Sequence, residues 1–197
     1  MAYLKSHPEC PLVHTHVRVI DETDQILRIR HEGSIPEGPC VARELLRHCF
    51  ITASSVVVRR EVWLGAVPEE AITDFGMDQD FFVAIAREYP IGFLAEILAS
   101  YRRSSTSVSV KKWKRIPRNV HTLERLLEHG AWNGIISRRE MVKNLVEAYI
   151  ENAIYWRMQQ DRRKACWFGL RGLHHDPLSL RLWKCFLAAV LKTRRTA

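Results

Sequence analysis

The sequence has no apolar run approaching the roughly 20 residues needed to cross a bilayer, so no membrane-spanning helix is expected. It has no Cys-x-x-Cys pair. The five cysteines, Cys10, Cys40, Cys49, Cys166 and Cys185, are odd in number and widely spaced. That spacing indicates neither a zinc site nor a disulfide framework, and fits reduced, mostly buried thiols of a cytoplasmic protein. The opening stretch from Met1 to Pro8 lacks a basic region followed by an apolar one, so no signal peptide is expected. There is no arginine-rich helix and no aromatic-plus-basic motif of an RNA-binding domain, which disfavours nucleic acid as a partner. Acidic residues are in short supply: 22 Asp and Glu against 30 Lys and Arg leave a net charge of +8. The surplus gathers at Arg102 to Arg118, Arg162 to Lys164 and Lys192 to Arg195. Such a surface suits anionic headgroups, a phosphorylated substrate or simple solvation, and charge alone selects none of them.

What is present is an ordinary globular composition, 47% hydrophobic over 197 residues, enough for one or two cored domains. Ala2 to Ser6 reads as the end of a helix that Pro8 stops. Leu12 to Ile20 alternates, with Val13, Thr15, Val17 and Val19 on one face, and so reads as a strand half-buried through its valines. Asp21 to Asp24 is a turn, Ile26 to Arg30 a return strand, and Gly33 to Pro39 a loop. Val41 to His48 suits a short helix, and Ile51 to Arg59 a buried strand or the approach to one. Glu61 to Gly65 makes a helical turn, followed by a loop around Pro68 to Gly76. Asp78 to Glu88 is amphipathic, with Phe81, Phe82, Ile85 and Ala86 inward and Asp78 in the first turn, where the helix dipole favours an anion. Ile91 to Leu94 and Ile97 to Tyr101 are two short strands. Beyond Pro117 the periodicity is helical throughout: Val120 to Glu128, Ser137 to Gln160, Arg162 to His174 and Leu178 to Lys192.

The informative stretch runs from Phe50 to Ser109. It contains Ser54-Ser55 and Arg59-Arg60-Glu61, then Gly65-x-Val67-Pro68-Glu69, then Gly76-Met77-Asp78-Gln79-Asp80. Tyr89-Pro90, Glu96-x-Leu98-Ala99 and Tyr101-Arg102 follow, with Ser107 and Ser109 at its end. The order and spacing of these pieces resemble the second half of the family 2 glycosyltransferases of GT-A fold. The resemblance implies inverting transfer of a hexose from a nucleotide sugar to a glycan acceptor, in polysaccharide biosynthesis. It implies that Asp78 is the catalytic base that deprotonates the acceptor hydroxyl, a role suited to a carboxylate held close and partly desolvated. Asp80, Tyr101 and Arg102 are implied to bind substrate, Arg102 being suited to a bidentate phosphate contact. Acidic residues also favour helix starts in their own right, so Asp78 and Asp80 admit a structural reading as well.

Three positions depart from the family pattern: Met77 stands for an acid, Ala84 for an arginine and Ser104 for a histidine. No Asp-x-Asp occurs in the first forty residues, and the opening Leu4 to Ile20 resembles the segment just after that metal motif. The expectation is therefore an incomplete enzyme, inactive alone, lacking the half that binds the nucleotide. No metal ligand or cofactor is expected in this chain, and magnesium or manganese only with the missing half. In the tail, Trp156, Ala165, Leu173 and Asp176-Pro177-Leu178 are spaced as in a tetratricopeptide-type helix pair. The expected fold is α+β: a partial GT-A unit over 1–116, then an all-helical tail over 117–197. The chain is expected to be cytoplasmic, with peripheral attachment to the inner face of the membrane or a protein partner as further options. The competing reading is a non-catalytic binding or scaffold protein that uses the basic surface and the helical tail.

Overall fold

The computed structural model describes residues 2–30, 35, 40–66, 77–106 and 120–191. Packing divides the chain into two compact units, Met1–Lys114 and Arg115–Ala197, beside the division expected after residue 116. The first carries α1 (Ala2–Ser6), β1 (Leu12–Ile20), β2 (Ile26–Arg30), α2 (Cys40–Leu45) and a 3-10 turn at Ala53–Ser55. It continues with β3 (Val57–Val58), α3 (Arg60–Ala66), α4 (Met77–Glu88) and β4 (Ile91–Arg102). The second carries α5 (Val120–Glu128), α6 (Arg138–Met158), α7 (Arg162–His175) and α8 (Leu180–Val190). The architecture is α+β, with a small mixed sheet and several helices. Among the described residues no helix is long and apolar enough to cross a membrane. The expected loops at Gly33 to Pro39 and Pro68 to Gly76, Val67 to Glu69, Ser107, Ser109 and the basic run Lys192 to Arg195 lie outside the described residues, apart from Ile35.

β1 is the centre of the sheet. β4 pairs with it in parallel along its whole length, Leu12 to Ile91 through Ile20 to Arg102, and so occupies one edge. The other edge is shared end to end. β3 pairs antiparallel with Leu12 and Val13, and β2 antiparallel with Val17 to Ile20. A parallel neighbour needs a long crossover, here supplied by the helices between β3 and β4. The half-buried strand expected over Leu12 to Ile20 is covered on both faces: Leu12, His14 and Ile20 are buried as well as Val13, Val17 and Val19. His14 is enclosed between the rings of Phe50 and Phe93, at 6.0 and 5.0 Å. The two strands expected over 91–101 are one. Its register slips between Thr15 and His16 and between His16 and Val17, so that Ala95, Glu96 and Leu98 are extra residues on the β4 side. These bulges interrupt the alternation and make one strand read as two.

Within the expected strand over 51–59, only Val57 and Val58 pair, because Ala53–Ser55 turns as a 3-10 helix with Ser55 Oγ donating to Thr52 O. Arg59 then donates from Nη2 to Leu4 O at 2.6 Å, which fastens α1 across the sheet end. α1 is held from above too: Tyr3 stacks on His7 at 4.1 Å and lies over Gly92, where a Cβ would fall 2.4 Å from the tyrosine ring. α4 turns a broader face inward than expected, with Gln79 and Val83 buried beside Phe81, Phe82 and Ile85. Gln79 Nε2 donates to Leu45 O at 2.5 Å, satisfying the last carbonyl of α2, a group with no partner inside its own helix.

The helices of the second unit start where side chains can cap them. Ser137, Asp161 and Ser179 accept from the backbone N–H of Glu140, Lys164 and Leu182, at the starts of α6, α7 and α8. α5 ends in a left-handed glycine, Gly130 at φ +68°, with Ala131 N bonded to Leu126 O and Gly130 N to Leu127 O. That is a Schellman stop. α6 stops the same way two residues before Gln160, which adopts φ +61° while Asp161 N bonds to Trp156 O. α6, α7 and α8 pack on one another closely enough that a Cβ on Gly172 would meet Leu182 at 2.6 Å and Tyr149 at 3.0 Å.

Candidate functional site

Asp78 and Asp80 stand in the first turn of α4, two positions apart, and so point to different sides of the helix. Asp78 opens on a shallow pocket of about 60 Å³ lined by Ala53, Val56, Trp63, Phe81 and Phe82. The pocket is assembled from three elements: the 3-10 turn and the residue after it, α3 through Trp63, and α4. Trp63 meets Phe81 edge to face at 4.7 Å and leaves much of its indole uncovered. Asp78 reaches the surface, but its apolar neighbours strip enough water from its carboxyl to hold it above the usual carboxylate range. A carboxylate set on an aromatic floor can accept a proton or a hydrogen bond from a hydroxyl placed over the rings. Asp80 is half-buried. Both aspartates bear on Cys49, whose thiol is pushed up to about 12, first by burial and then by the Asp78 charge, with Arg30 opposing. Cys49 Sγ donates to Ile51 O at 3.4 Å, and a raised thiol of this kind is poorly suited to act as a nucleophile.

Tyr101 and Arg102 are placed elsewhere. They pair with Val19 and Ile20, at the C-terminal end of β1, whereas the pocket wall at Val56 directly precedes the β3 residues paired with Leu12 and Val13. Arg102 is bonded to the β1–β2 turn: its guanidinium donates to Asp21 O at 3.0 Å, to Glu22 O at 3.4 Å and to Asp24 Oδ1 at 2.6 Å. The same turn is tied from within by Asp21 Oδ1, which accepts from Thr23 N, Thr23 Oγ1 and Gln25 N. Asp24 adopts φ +66°, a conformation Asp tolerates in turns. Thus the structure brings Asp78 to Asp80, Trp63 and Cys49, and Arg102 to Asp24. Ser104, at the expected histidine position, bonds Thr106 Oγ1 at 2.8 Å. Among the described residues no three His, Cys, Asp or Glu side chains are grouped to hold a metal ion.

A second polar cluster, in the helical unit, is absent from the sequence reading. Glu124 on α5 accepts from Tyr149 Oη on α6 at 2.5 Å and faces His175 Nε2 and Arg171 on α7 at 3.5 and 3.6 Å. His121 Nδ1 lies 3.4 Å away on its own helix. The His175 contact, then the Tyr149 bond and the positive charge of Arg171, lower the Glu124 carboxyl to about 2 against the opposing cost of burial. Tyr149 is pushed well above its ordinary value by burial and by the same carboxylate. Trp63 and Gln79 were equally hidden, because a helical turn and an amphipathic face account for them without a site. No family model matches the chain, and neither a curated protein nor a solved structure matches it.

Proposed function

We propose that this chain supplies the acceptor side of an inverting glycosyltransferase of family 2, in which Asp78 takes the proton from an acceptor hydroxyl as that oxygen attacks a nucleotide-sugar donor. In this reading the first unit is a partial GT-A fold and α6 to α8 form a tetratricopeptide-like addition. The observation that carries it is the coincidence of motif and site. The residue that the resemblance makes the base is the carboxylate over the aromatic pocket, and burial raises its proton affinity as a general base requires. In this reading, binding of the donor diphosphate and of magnesium or manganese belongs to a donor-binding half supplied with this chain. The test is transfer of labelled hexose from a panel of nucleotide sugars to glycan acceptors, using the chain with its co-purified donor-binding partner. Asp78→Asn is expected to cut transfer by on the order of 100-fold or more. Unchanged transfer in that variant refutes the assignment. Calorimetry with nucleotide sugar and either metal is expected to show no tight uptake by the chain alone.

One observation favours a second reading, a non-catalytic binding protein. Arg102, the residue matched to phosphate, already satisfies three acceptors of the hairpin turn. Retention on heparin that falls with salt and is lost on changing Arg194 and Arg195 supports that reading.

A further inference from the structure

We propose that the outer face of α8, with the loop before it, lies on an anionic lipid bilayer. The inference is independent of the glycosyltransferase reading. In α8, Leu182 and Ala189 are buried, while Leu180, Trp183, Leu187 and Val190, with Leu191 at its end, are exposed. The spacing of three, four, three and one puts these five on a single stripe. Leu178, in the preceding loop, is 87% exposed and Leu180 74%, so the apolar surface continues off the helix. An exposed apolar patch of this kind, with Lys184 on the same helical row, marks an interaction site.

Charge identifies the occupant. Between Asp161 and Leu191 six Lys and Arg accompany two carboxylates, Asp161 and Asp176, with Lys164 paired to Asp161, Arg171 to Glu124 and Arg181 to Glu147. Arg163 and Lys184 are exposed. Arg162 donates to the carbonyls of Ala189 and Val190, which places its charge at the C-terminal end of α8. α8 carries no carboxylate, and its two cations lie beside the apolar stripe, Lys184 one turn from both Leu180 and Leu187 and Arg181 next to it, a composition suited to the headgroup plane of an anionic membrane. The indole N–H of Trp183 already donates to Pro177 O at 2.9 Å, so the ring can enter an apolar layer without stranding a donor. A second copy of the chain is disfavoured because two cation-rich rims would meet. A single partner helix is disfavoured because Leu178 lies off the helical repeat that such a partner follows.

The test uses the full chain and sucrose-loaded vesicles of phosphatidylcholine, with or without about 30% phosphatidylserine. Co-sedimentation with the anionic vesicles is expected, weakened but not abolished by added salt. The triple variant L178S/L180S/L191S changes only residues at least 62% exposed and is expected to lower partitioning at least tenfold. L178S alone, a loop change that spares the helix, is expected to lower it severalfold, which keeps the test decisive if the triple variant misfolds. Several outcomes overturn the proposal. They are no sedimentation with either vesicle, or equal sedimentation of variants and wild type. A concentration-dependent dimer that the same substitutions abolish is a third, because it assigns the face to a second copy.

Discussion

Replacing Glu124 by glutamine should remove most of the acid sensitivity of the helical unit. Glu124 joins three helices, through Tyr149 of α6 and through Arg171 and His175 of α7. Its side chain is largely covered, 14% exposed, so little solvent screening weakens these contacts. The fall of its pKa from 4.5 to about 2 corresponds to about 3 kcal/mol of stability in its ionised form. A depressed carboxylate stabilises fully above its unfolded value and loses that contribution as pH falls through the folded one. The window is therefore from about pH 5 down to about 2. At pH 3 the wild type should have lost about 2 kcal/mol from this group alone.

Urea unfolding followed by tryptophan fluorescence is a suitable readout, because Trp132, Trp156, Trp167 and Trp183 all lie in the helical unit. At pH 7 the Glu124→Gln chain should be less stable by roughly 2–3 kcal/mol, since the amide keeps an acceptor for Tyr149 but loses the cations. At pH 3 the gap between the two chains should close to within about 1 kcal/mol. A gap that stays constant between the two pH values refutes the account, because it makes Glu124 a packing residue and not a buried anion.

Three other substitutions test the packing. Gly172→Ala should destabilise the helical unit by about 1–3 kcal/mol in the same assay, because the new methyl meets Leu182 at 2.6 Å; greater stability, as helix propensity alone would give, refutes that contact. Gln160→Gly should raise stability by up to about 1 kcal/mol by relieving a left-handed backbone at the end of α6, and a loss there refutes the Schellman stop. Gly92→Ala should drive Tyr3 off the sheet and expose α1, read as faster proteolytic cleavage near Ser6 at little cost to overall stability; an unchanged cleavage rate places Tyr3 elsewhere.

The helical half was readable because its signals are local. Ser137 with Glu140, Asp161 before Arg162, and Ser179 before Leu180 all mark a helix start by residues within one turn of it. The helix expected over Ser137 to Gln160 runs two residues past the end of α6, because a left-handed glutamine carries no sequence signal, unlike Gly130. The sheet was less readable because pairing is not local. The alternation in Leu12 to Ile20 indicates a strand but not its neighbours, and it was the cover on both faces that buried His14. The bulges in β4 arise from its register against β1, a partner more than seventy residues earlier, and nothing within 91–102 announces them.

The same distinction separates the residues of the candidate site. Asp78 was readable as an acid at a helix start, and its position on α4 follows from local periodicity. What gives its carboxyl a raised proton affinity comes from Ala53, Val56 and Trp63, brought from elements whose own periodicity gave no reason to place them together. Arg102 shows the converse. Its motif position suits a phosphate ligand, yet the β1–β2 turn reaches it only through the parallel pairing of β4 with β1, and supplies three acceptors for its guanidinium. An arginine so engaged meets an incoming phosphate only by giving up bonds to Asp24 and the turn carbonyls. These bonds are exposed and individually weak, so a diphosphate could displace them at modest cost. The turn contacts therefore weigh against a preorganised phosphate clamp more than against phosphate binding itself. They leave Asp78 and its aromatic pocket as the part of the site on which the glycosyltransferase reading stands.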